Sequence, residues 1–344
     1  MLLADWQLEG PLLALWPCRR DVWRGVDRQP EFAPAQQQLL QLLRAVQHYH
    51  PVYLAVHPLW YGRVARTVSD LPLIPLSYDD AWARDIAPLW MSKHNQLRAR
   101  AFRFDAWHGL YPEVSRDNAF ALRLALQLGL RCDSDGLVIE GGMIVTNGRG
   151  LGLIHRRSLL RNNPKLSWGQ LSVRLKRQLG LHTLIGLDWA HWADETGGHM
   201  DNYAQFIDSN TLAYVQDLAE QELGVIFLAA IQQAFQAQQQ PLNLVKLPKL
   251  ELLSAASYPL VDVQRRKGVL ARQHKAILAS YANFIRYKDL LVVPQFGLPA
   301  DATASSCFLQ SNAELLQLTT PAREFIAAGG GPHCLTVNLP QQPL

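Results

Sequence analysis

The chain has 344 residues, of which 49% are hydrophobic, and its formal net charge is +4. A chain of this length and composition can bury a sizeable core, which predicts two lobes or one large domain built from repeated units. Its apolar runs are far shorter than the roughly 20 residues of a membrane helix, which argues against a membrane protein. Its basic clusters are short, which argues against a nucleic-acid-binding protein.

The four cysteines lie far apart, at positions 18, 132, 307 and 334, and none forms a C-x-x-C pair. This spacing argues against a disulfide framework and against a structural zinc site. The opening stretch MLLADWQLEGPLLALW has two acidic residues and no basic head, which argues against a signal peptide. We therefore expect a cytoplasmic protein.

Strand and helix patterns alternate along the chain, which predicts a mixed α/β fold. In chain order, the predicted elements are a helix over 33–49, a strand over 51–56, two strand pieces joined at a glycine pair over 137–145, a hairpin of strands 203–208 and 211–215 around a Ser-Asn turn, a long amphipathic helix over 216–240, and strands over 243–247 and 289–297.

The first polar cluster is DDAWARDIAP, residues 79–88. Its simplest interpretation is a turn with an Arg–Asp pair, in which Asp79 serves as a turn or cap residue. Asp85 lies next to the strand-like IAPLW and is the better candidate for a functional site.

Glu140 lies inside an apolar strand-like stretch, LVIEGGMIV. A buried carboxylate at this position needs a partner or a raised pKa. Strand alternation equally allows a glutamate that faces solvent. The adjoining glycines favour the close approach of another backbone.

The segment GGHMDN contains His199 and Asp201 two positions apart, so a strand would place both side chains on one face. Taken alone, the segment is most simply an exposed edge strand. Cys334 follows a glycine run in GGGPHCLTVNLP. A reactive cysteine benefits from such glycines, because they let the backbone come close to a ligand.

Together these clusters combine a thiol, an imidazole and three carboxylates. A cysteine protease needs a Cys, a His and one orienting Asn or Asp with an oxyanion hole, and further carboxylates would repel the developing oxyanion. Guanidinium is planar and permanently charged, and its paired N–H donors suit carboxylates. The set therefore favours a cationic guanidino substrate over a peptide bond.

Eight stretches also match a known family in order: LLALWPCRRDVWRG, DDAWARDIAP, FDAWHGLYP, IEGGMIVTNGRG, DETGGHMDNYAQFI, SYANF, VVPQFG and GGGPHCLT. The chain resembles the agmatine deiminases, grouped with the bacterial (Porphyromonas-type) peptidylarginine deiminases in the guanidino-group-modifying superfamily. The resemblance implies a single catalytic domain over residues 1–344. It also implies the pentein fold, a five-bladed α/β propeller of ββαβ-type units around a central active site.

The resemblance further implies the roles of individual residues. Cys334 would be the nucleophile and His199 the general acid and base. Glu140 would orient His199 and accept a guanidinium hydrogen bond. Asp85 and Asp201 would clamp the guanidinium group, and Trp82 would form part of the wall of the substrate pocket.

The reaction expected from this resemblance is hydrolysis of agmatine to N-carbamoylputrescine and ammonia through a covalent thiouronium on the cysteine, with no metal or organic cofactor. Deimination of arginine or peptidylarginine and amidino transfer to an amine remain alternatives. A non-catalytic guanidino-ligand binder is a third, disfavoured because the reactive groups are all present. The expected partner is a small cationic guanidino compound, and a homo-oligomer is compatible with the sequence.

The chain departs from the family pattern at several positions. Gly331, Pro332 and Ala328 replace an asparagine, an isoleucine and a glycine before the cysteine. Leu153–His155 replaces Thr-Thr-Glu, and Gln205 replaces an arginine. None of these departures removes a proposed catalytic group. We expect them to change the shape of the part of the pocket that lies beyond the guanidinium group.

Overall fold

The computed structural model describes residues 1–27, 32–94, 96–254, 263–264, 267–269 and 275–341. Its strands are β1 (Leu12–Leu15), β2 (Val52–Val56), β3 (Leu73–Pro75), β4 (Leu89–Lys93), β5 (Gln96–Arg103), β6 (Cys132–Val138), β7 (Ile144–Thr146), β8 (Leu151–His155), β9 (Thr183–Leu187), β10 (Ala204–Asp208), β11 (Thr211–Val215), β12 (Asn243–Leu247), β13 (Glu251–Ser254), β14 (Ala276–Ala279), β15 (Ile285–Tyr287), β16 (Leu290–Gln295), β17 (Leu316–Pro321) and β18 (Thr336–Asn338).

The helices are α1 (Pro34–Gln47), α2 (Pro58–Thr67), α3 (Ala83–Ile86), α4 (Ala106–Gly109), α5 (Ser115–Asn118), α6 (Phe120–Gln127), α7 (Arg156–Asn162), α8 (Trp168–Leu179), α9 (Asp217–Glu220), α10 (Glu222–Ala237), α11 (Ala300–Ser311) and α12 (Arg323–Ala328). Short 3₁₀ turns cover Asp5–Gln7, Gly141–Met143 and Met200–Asn202. None of the helices in the described part of the chain has both the length and the apolar character needed to cross a bilayer.

Five sheets of the described residues share one arrangement, an antiparallel pair, a helical crossover and a third strand in parallel. Four of them follow chain order: β4-β5-β6, β7-β8-β9, β10-β11-β12 and β15-β16-β17. In the fifth, β18 is the antiparallel partner of β1, and β2 and β3 follow in parallel. The strands β13 and β14 form a separate antiparallel pair. The predicted mixed α/β class is confirmed.

The helix α8 shows how local sequence and packing agree. Ser167 caps its first turn by accepting a hydrogen bond from the Gln170 backbone, and Gly180 ends it in a left-handed conformation with φ of 63°. Leu171, Leu175 and Leu179 recur every four residues and are buried. They pack into the smaller of two clusters of buried hydrophobic residues.

The predicted helix over 33–49 and the predicted hairpin correspond to α1 and to β10 with β11, so both predictions are confirmed. The predicted helix over 216–240 is instead divided into α9 and α10 at Gln221, which is extended at φ −101° and ψ 133°. Gly224 then lies against the backbone of Leu218, where a Cβ atom would come within 2.2 Å of the carbonyl oxygen. The break allows this close contact between the two helices.

Candidate active site

Cys334 lies between α12 and β18, and its side chain is buried, with 5% of the residue exposed. Asn283 holds it from two sides. The Asn283 Nδ2 donates to Cys334 Sγ over 3.1 Å, and Asn283 Oδ1 accepts from the backbone N–H of His333 over 3.0 Å. A Cβ on Gly330 would lie 3.2 Å from Sγ and 2.5 Å from the Trp82 ring, which explains the glycine before the cysteine.

The Cys334 thiol is protonated in the free protein at neutral pH. Burial raises its pKa well above the ordinary value, and the charges of Asp201 and Asp85 act in the same direction. The Sγ lies 3.8 Å from Asp201 Oδ2, within reach of a weak S–H hydrogen bond. Because a cation that enters the site lowers the pKa of a nearby thiol, a positively charged ligand would favour the thiolate.

His199 stands immediately before the 3₁₀ turn Met200–Asn202 and is 1% exposed. Its Nδ1 lies 3.6 Å from Asp85 Oδ1, and its Nε2 lies 3.8 Å from Glu140 Oε2. In the described structure neither ring nitrogen has a hydrogen-bond partner. Burial opposes the charged form, but Asp85, Glu140 and Asp201 outweigh it and raise the pKa of His199 to about 10. The imidazole is therefore protonated at neutral pH and can donate a proton.

Asp85 lies in the short helix α3, and each of its two carboxylate oxygens accepts a hydrogen bond from a different donor. The Trp107 indole donates to Oδ2 over 3.0 Å, and the Gly142 backbone N–H donates to Oδ1 over 2.8 Å. Burial raises the pKa of Asp85 to about 6, against the opposing charge of His199. Trp107 belongs to a left-handed turn in which Ala106, Trp107 and His108 have φ of 61°, 52° and 68°. Three such residues in succession are strained, and this strain is placed where the indole meets Asp85.

Gly142 lies where three side chains of the site converge. A Cβ atom on it would come within 2.6 Å of His199 Nδ1, 2.9 Å of Asp85 Oδ1 and 3.1 Å of Asp201 Oδ2. Only glycine leaves room for these groups beside the backbone. The second glycine of the IEGG stretch is therefore a steric requirement of the site.

Glu140 follows the end of β6 and is 1% exposed. The Nδ2 of Asn162, from α7, lies 3.1 and 3.2 Å from its two carboxylate oxygens. This amide holds the carboxylate beside His199 Nε2 without neutralising its charge.

Asp201 is fully buried and makes a different use of each oxygen. Its Oδ2 accepts from His333 Nδ1 over 2.8 Å. Its Oδ1 is buried and has no hydrogen-bond partner among the described residues. A buried carboxylate oxygen without a partner is energetically costly, so it marks the place where a ligand N–H would bind.

A cavity opens onto the thiol. Its lining residues are Trp82, Asp85, Trp107, Leu110, Tyr111, Glu195, Thr196, Asn202, Ala328, Gly329, Gly330 and Cys334. Trp82 packs against Trp23 with ring centroids 5.0 Å apart, and its Nε1 donates to Asp80 over 2.9 Å. Trp82 therefore forms part of the wall of the cavity beside the thiol.

Glu195 lines both this cavity and a neighbouring one. The second cavity is also lined by Lys275, which forms an ion pair with Glu195. The loop that carries Glu195 is fixed by Asp194, whose Oδ2 accepts from the Tyr203 hydroxyl over 2.7 Å and whose Oδ1 accepts from the Thr196 hydroxyl over 2.6 Å. The pair lies beyond the reacting end of the site, and burial lowers the pKa of Lys275 to about 7.

The structure brings together the five residues proposed for the chemistry, Cys334, His199, Glu140, Asp85 and Asp201. The two strand pieces predicted on either side of the glycine pair are present as β6 and β7, so that prediction is confirmed. Three other local expectations were wrong. Glu140 follows a strand and does not lie inside one, and His199 and Asp201 lie at a 3₁₀ turn and not on a strand. Asp85 lies in a helix, and its neighbour Arg84 pairs with Asp5, both contacts at 3.0 Å, and not with Asp85.

Several departures from the family pattern lie away from the cavity beside the thiol. Gln205 donates to the carbonyl oxygens of Ala282 and Phe284 and lines a separate cavity. Leu153 is buried in β8, and His155 caps α7 by accepting from the Ser158 N–H. Gly331 lies against Asn283, where a Cβ would come within 2.3 Å of Oδ1. Of the departures, Ala328 alone lines the cavity beside the thiol, and Gly331 lines the neighbouring one.

Sequence reasoning gave no role to a further set of residues around the site: Asp5, Trp107, Asn162, Glu195, Lys275, Asn283 and His333. Four of these residues could have been found from the family resemblance, because they lie within the matched stretches. They are Trp107 in FDAWHGLYP, Glu195 in DETGGHMDNYAQFI, Asn283 in SYANF and His333 in GGGPHCLT. Asp5, Asn162 and Lys275 lie outside those stretches, and only the fold brings them to the site.

The model of the Porphyromonas-type peptidyl-arginine deiminase family matches residues 1–340. The chain belongs to this family. An agmatine deiminase of Stutzerimonas stutzeri is 30% identical, and the match covers 98% of this chain and 94% of that protein. The agmatine deiminase of Enterococcus faecalis has a similar structure, with a TM-score of 0.86, 23% identity, and 98% and 95% of the two chains covered.

The family fold extends to more distant proteins. DDAH from Pseudomonas aeruginosa matches with a TM-score of 0.52 at 13% identity, covering 96% of this chain and all of that one. At this identity the likeness shows a similar mixed α/β fold alone.

Proposed function

We propose that this protein hydrolyses agmatine to N-carbamoylputrescine and ammonia through a covalent intermediate on Cys334. The observation that carries the proposal is the set of three buried carboxylates, Asp85, Glu140 and Asp201, around one thiol and one protonated imidazole. Such a set attracts a planar cation and repels an oxyanion. The agmatine deiminases among the relatives support the choice of substrate.

The first half of the reaction removes ammonia. The guanidinium group binds with its N–H donors on Asp85 and Asp201, and its positive charge lowers the pKa of the Cys334 thiol, whose proton passes to water in the cavity. The thiolate attacks the guanidinium carbon, forming a C–S bond. His199, already protonated, donates its proton to the leaving nitrogen, the C–N bond breaks, and ammonia departs.

The second half releases the product. The neutral His199 takes a proton from a water molecule, and the hydroxide adds to the thiouronium carbon. Collapse of the adduct forms the C=O bond, breaks the C–S bond and expels the thiolate. The hydroxyl proton passes to water in the cavity, and a neutral ureido group remains on the product. Glu140 stabilises the imidazolium at both stages, because its carboxylate lies beside Nε2.

The tail of the substrate would extend past the cavity wall towards Glu195. An ammonium group at the end of this tail would pair with the Glu195 carboxylate. Lys275 offers a second possibility: burial lowers its pKa to about 7, and the α-carboxylate of arginine would favour its protonated form. This ion pair is therefore a specific reason to keep arginine deimination as the second candidate.

The deciding experiment measures ammonia release from agmatine, arginine, an arginyl peptide and a methylated arginine. We expect the highest kcat/KM for agmatine. Equal or faster turnover of arginine would assign the site to the second candidate, and turnover of the peptide alone would refute both. Product analysis with an added amine acceptor separates hydrolysis from amidino transfer.

We also propose that the five like sheets are the blades of a five-bladed propeller around this site. Their shared strand arrangement supports this, and the likeness to DDAH agrees with it. A single catalytic domain over residues 1–344, a cytoplasmic location and a homo-oligomer stay predictions.

A further inference from the structure

His333, the residue before the nucleophile, lies between two carboxylates and is 3% exposed. Its Nδ1 is 2.8 Å from Asp201 Oδ2, and its Nε2 is 3.0 Å from Asp5 Oδ2. Ionised carboxylate oxygens can only accept hydrogen bonds, so both ring nitrogens carry hydrogen. The geometry therefore describes an imidazolium cation held between two anions.

Arg84 secures the far end of this arrangement. Its guanidinium binds both oxygens of Asp5 at 3.0 Å, a bidentate contact. Burial opposes ionisation of Asp5, but Arg84 and His333 outweigh it and hold the pKa of that carboxyl well below its usual value. The Arg84 backbone N–H also donates to the Cys334 carbonyl over 3.1 Å. This hydrogen bond joins the backbone segment that carries Arg84 to the segment that carries the nucleophile.

The consequence falls on Asp201. Because His333 occupies its Oδ2, the carboxylate cannot rotate freely, and its unpartnered Oδ1 stays available for a ligand. The imidazolium also offsets one of the negative charges that would otherwise repel a thiolate on Cys334.

We propose that His333 is a positioning residue that acts through Asp201. It holds Oδ2 so that Oδ1 accepts from the bound cation, and Asp5 with Arg84 keeps His333 charged and in place. The inference rests on the proposed function in that the cation is a guanidinium group.

Two substitutions separate the two ring nitrogens. The amide nitrogen of asparagine falls near the position of Nδ1 and can still donate to Asp201, whereas that of glutamine falls near Nε2 and can donate only to Asp5. Both remove the charge. His333→Asn and His333→Gln therefore form a matched pair that differs in which carboxylate keeps its donor.

The probes are 2-chloroacetamidine, a cation, and 2-chloroacetamide, its neutral analogue of similar shape. In each case the thiolate of Cys334 forms a C–S bond and displaces chloride. The ratio of their second-order inactivation rates measures how well the site holds an amidinium group, and it does not require agmatine to be the substrate. A general loss of structure would slow both reagents together.

We expect His333→Gln to lower this ratio at least about tenfold, as loss of a hydrogen bond between charged groups implies, and His333→Asn to lower it much less. In an Asp201→Asn background, His333→Gln should change the ratio no further, because the two residues act as a unit. Asp5→Asn, which leaves His333 in place, should lower the ratio by a smaller factor and provides the test should His333→Gln fail to fold.

Equal ratios for His333→Gln and His333→Asn would overturn the proposal, as would an additive effect in the Asp201→Asn background or an unchanged ratio for Asp5→Asn. If the ratios behave as expected while agmatine releases no ammonia from the wild-type protein, the proposal about His333 stands and the assignment of agmatine fails.

Discussion

Replacing Trp107 by phenylalanine removes one of the two donors that hold Asp85 in its charged form. The indole Nε1 lies 3.0 Å from Oδ2, and the pKa of Asp85 is about 6. A hydrogen bond to a charged group contributes about 1.5–3 kcal/mol, and one pKa unit corresponds to about 1.4 kcal/mol. Its loss should raise the pKa of Asp85 by about 1–2 units, so the carboxylate becomes protonated at a higher pH.

The expected result is a change in the pH profile of kcat/KM for agmatine, which reports ionisations of the free enzyme. In the wild type, activity should fall as the pH drops through about 6, because protonated Asp85 cannot pair with guanidinium. In Trp107→Phe, this acid limb should move up by about 1–2 pH units. At pH 9 the variant should recover much of the activity that it lacks at pH 7.

Trp82→Phe is the matched control. It removes an indole from the wall of the same cavity, but the Trp82 Nε1 donates to Asp80 and not to Asp85. Its acid limb should stay where the wild type has it. An unmoved limb in Trp107→Phe, or equal shifts in both variants, would refute the assignment of the limb to Asp85.

Cys334→Ser should abolish ammonia release while calorimetry still detects agmatine binding, because a hydroxyl is far less ionised than a thiol at neutral pH. Wild-type turnover in this variant would contradict a thiolate nucleophile. A haloacetamidine should label Cys334 before the other three cysteines, and mass spectrometry showing equal labelling would count against an activated thiol. Glu195→Gln should raise KM for agmatine at least about tenfold but leave that for butylguanidine, which lacks the ammonium group, unchanged; parallel changes would place Glu195 outside the tail site. Gly142→Ala should be inactive, since its Cβ would lie 2.6 Å from His199 Nδ1, whereas Gly136→Ala, with no atom within 4 Å, should be active; comparable kcat/KM values would remove the steric argument.

The elements that the sequence predicted best are those determined by residues close together in the chain. The helix α1 and the hairpin of β10 and β11 follow from spacing and turn residues alone. The division between α9 and α10 could not be predicted in this way. It depends on how closely Gly224 approaches Leu218, and the apolar pattern continues across the break.

The sequence predicted which residues belong to the site, but it did not predict which charged side chains pair with each other. Arg84 stands next to Asp85 in the sequence, yet its partner is Asp5, 79 positions away. His333 joins Asp5 across 328 positions. Such contacts depend on which sheets meet, and a motif carries no information about them.

Turns around the site were mistaken for strands for a related reason. The stretch around Glu140 is apolar because it is buried, and burial alone does not distinguish a strand from a turn inside the core. The bends at Gly141–Met143 and Met200–Asn202 are what bring Gly142, His199 and Asp201 together.

The pairing of β1 with β18 has a consequence for biosynthesis. Leu12 is opposite Asn338, so one edge of β1 has no partner until the final strand has been translated. At roughly 5–20 residues per second, that interval is on the order of 20–60 s, during which an open strand edge can pair wrongly. The nucleophile is translated last of the site residues, after His199 and all three carboxylates. The nascent chain therefore stays without its reactive thiol until the sheet that holds it can close.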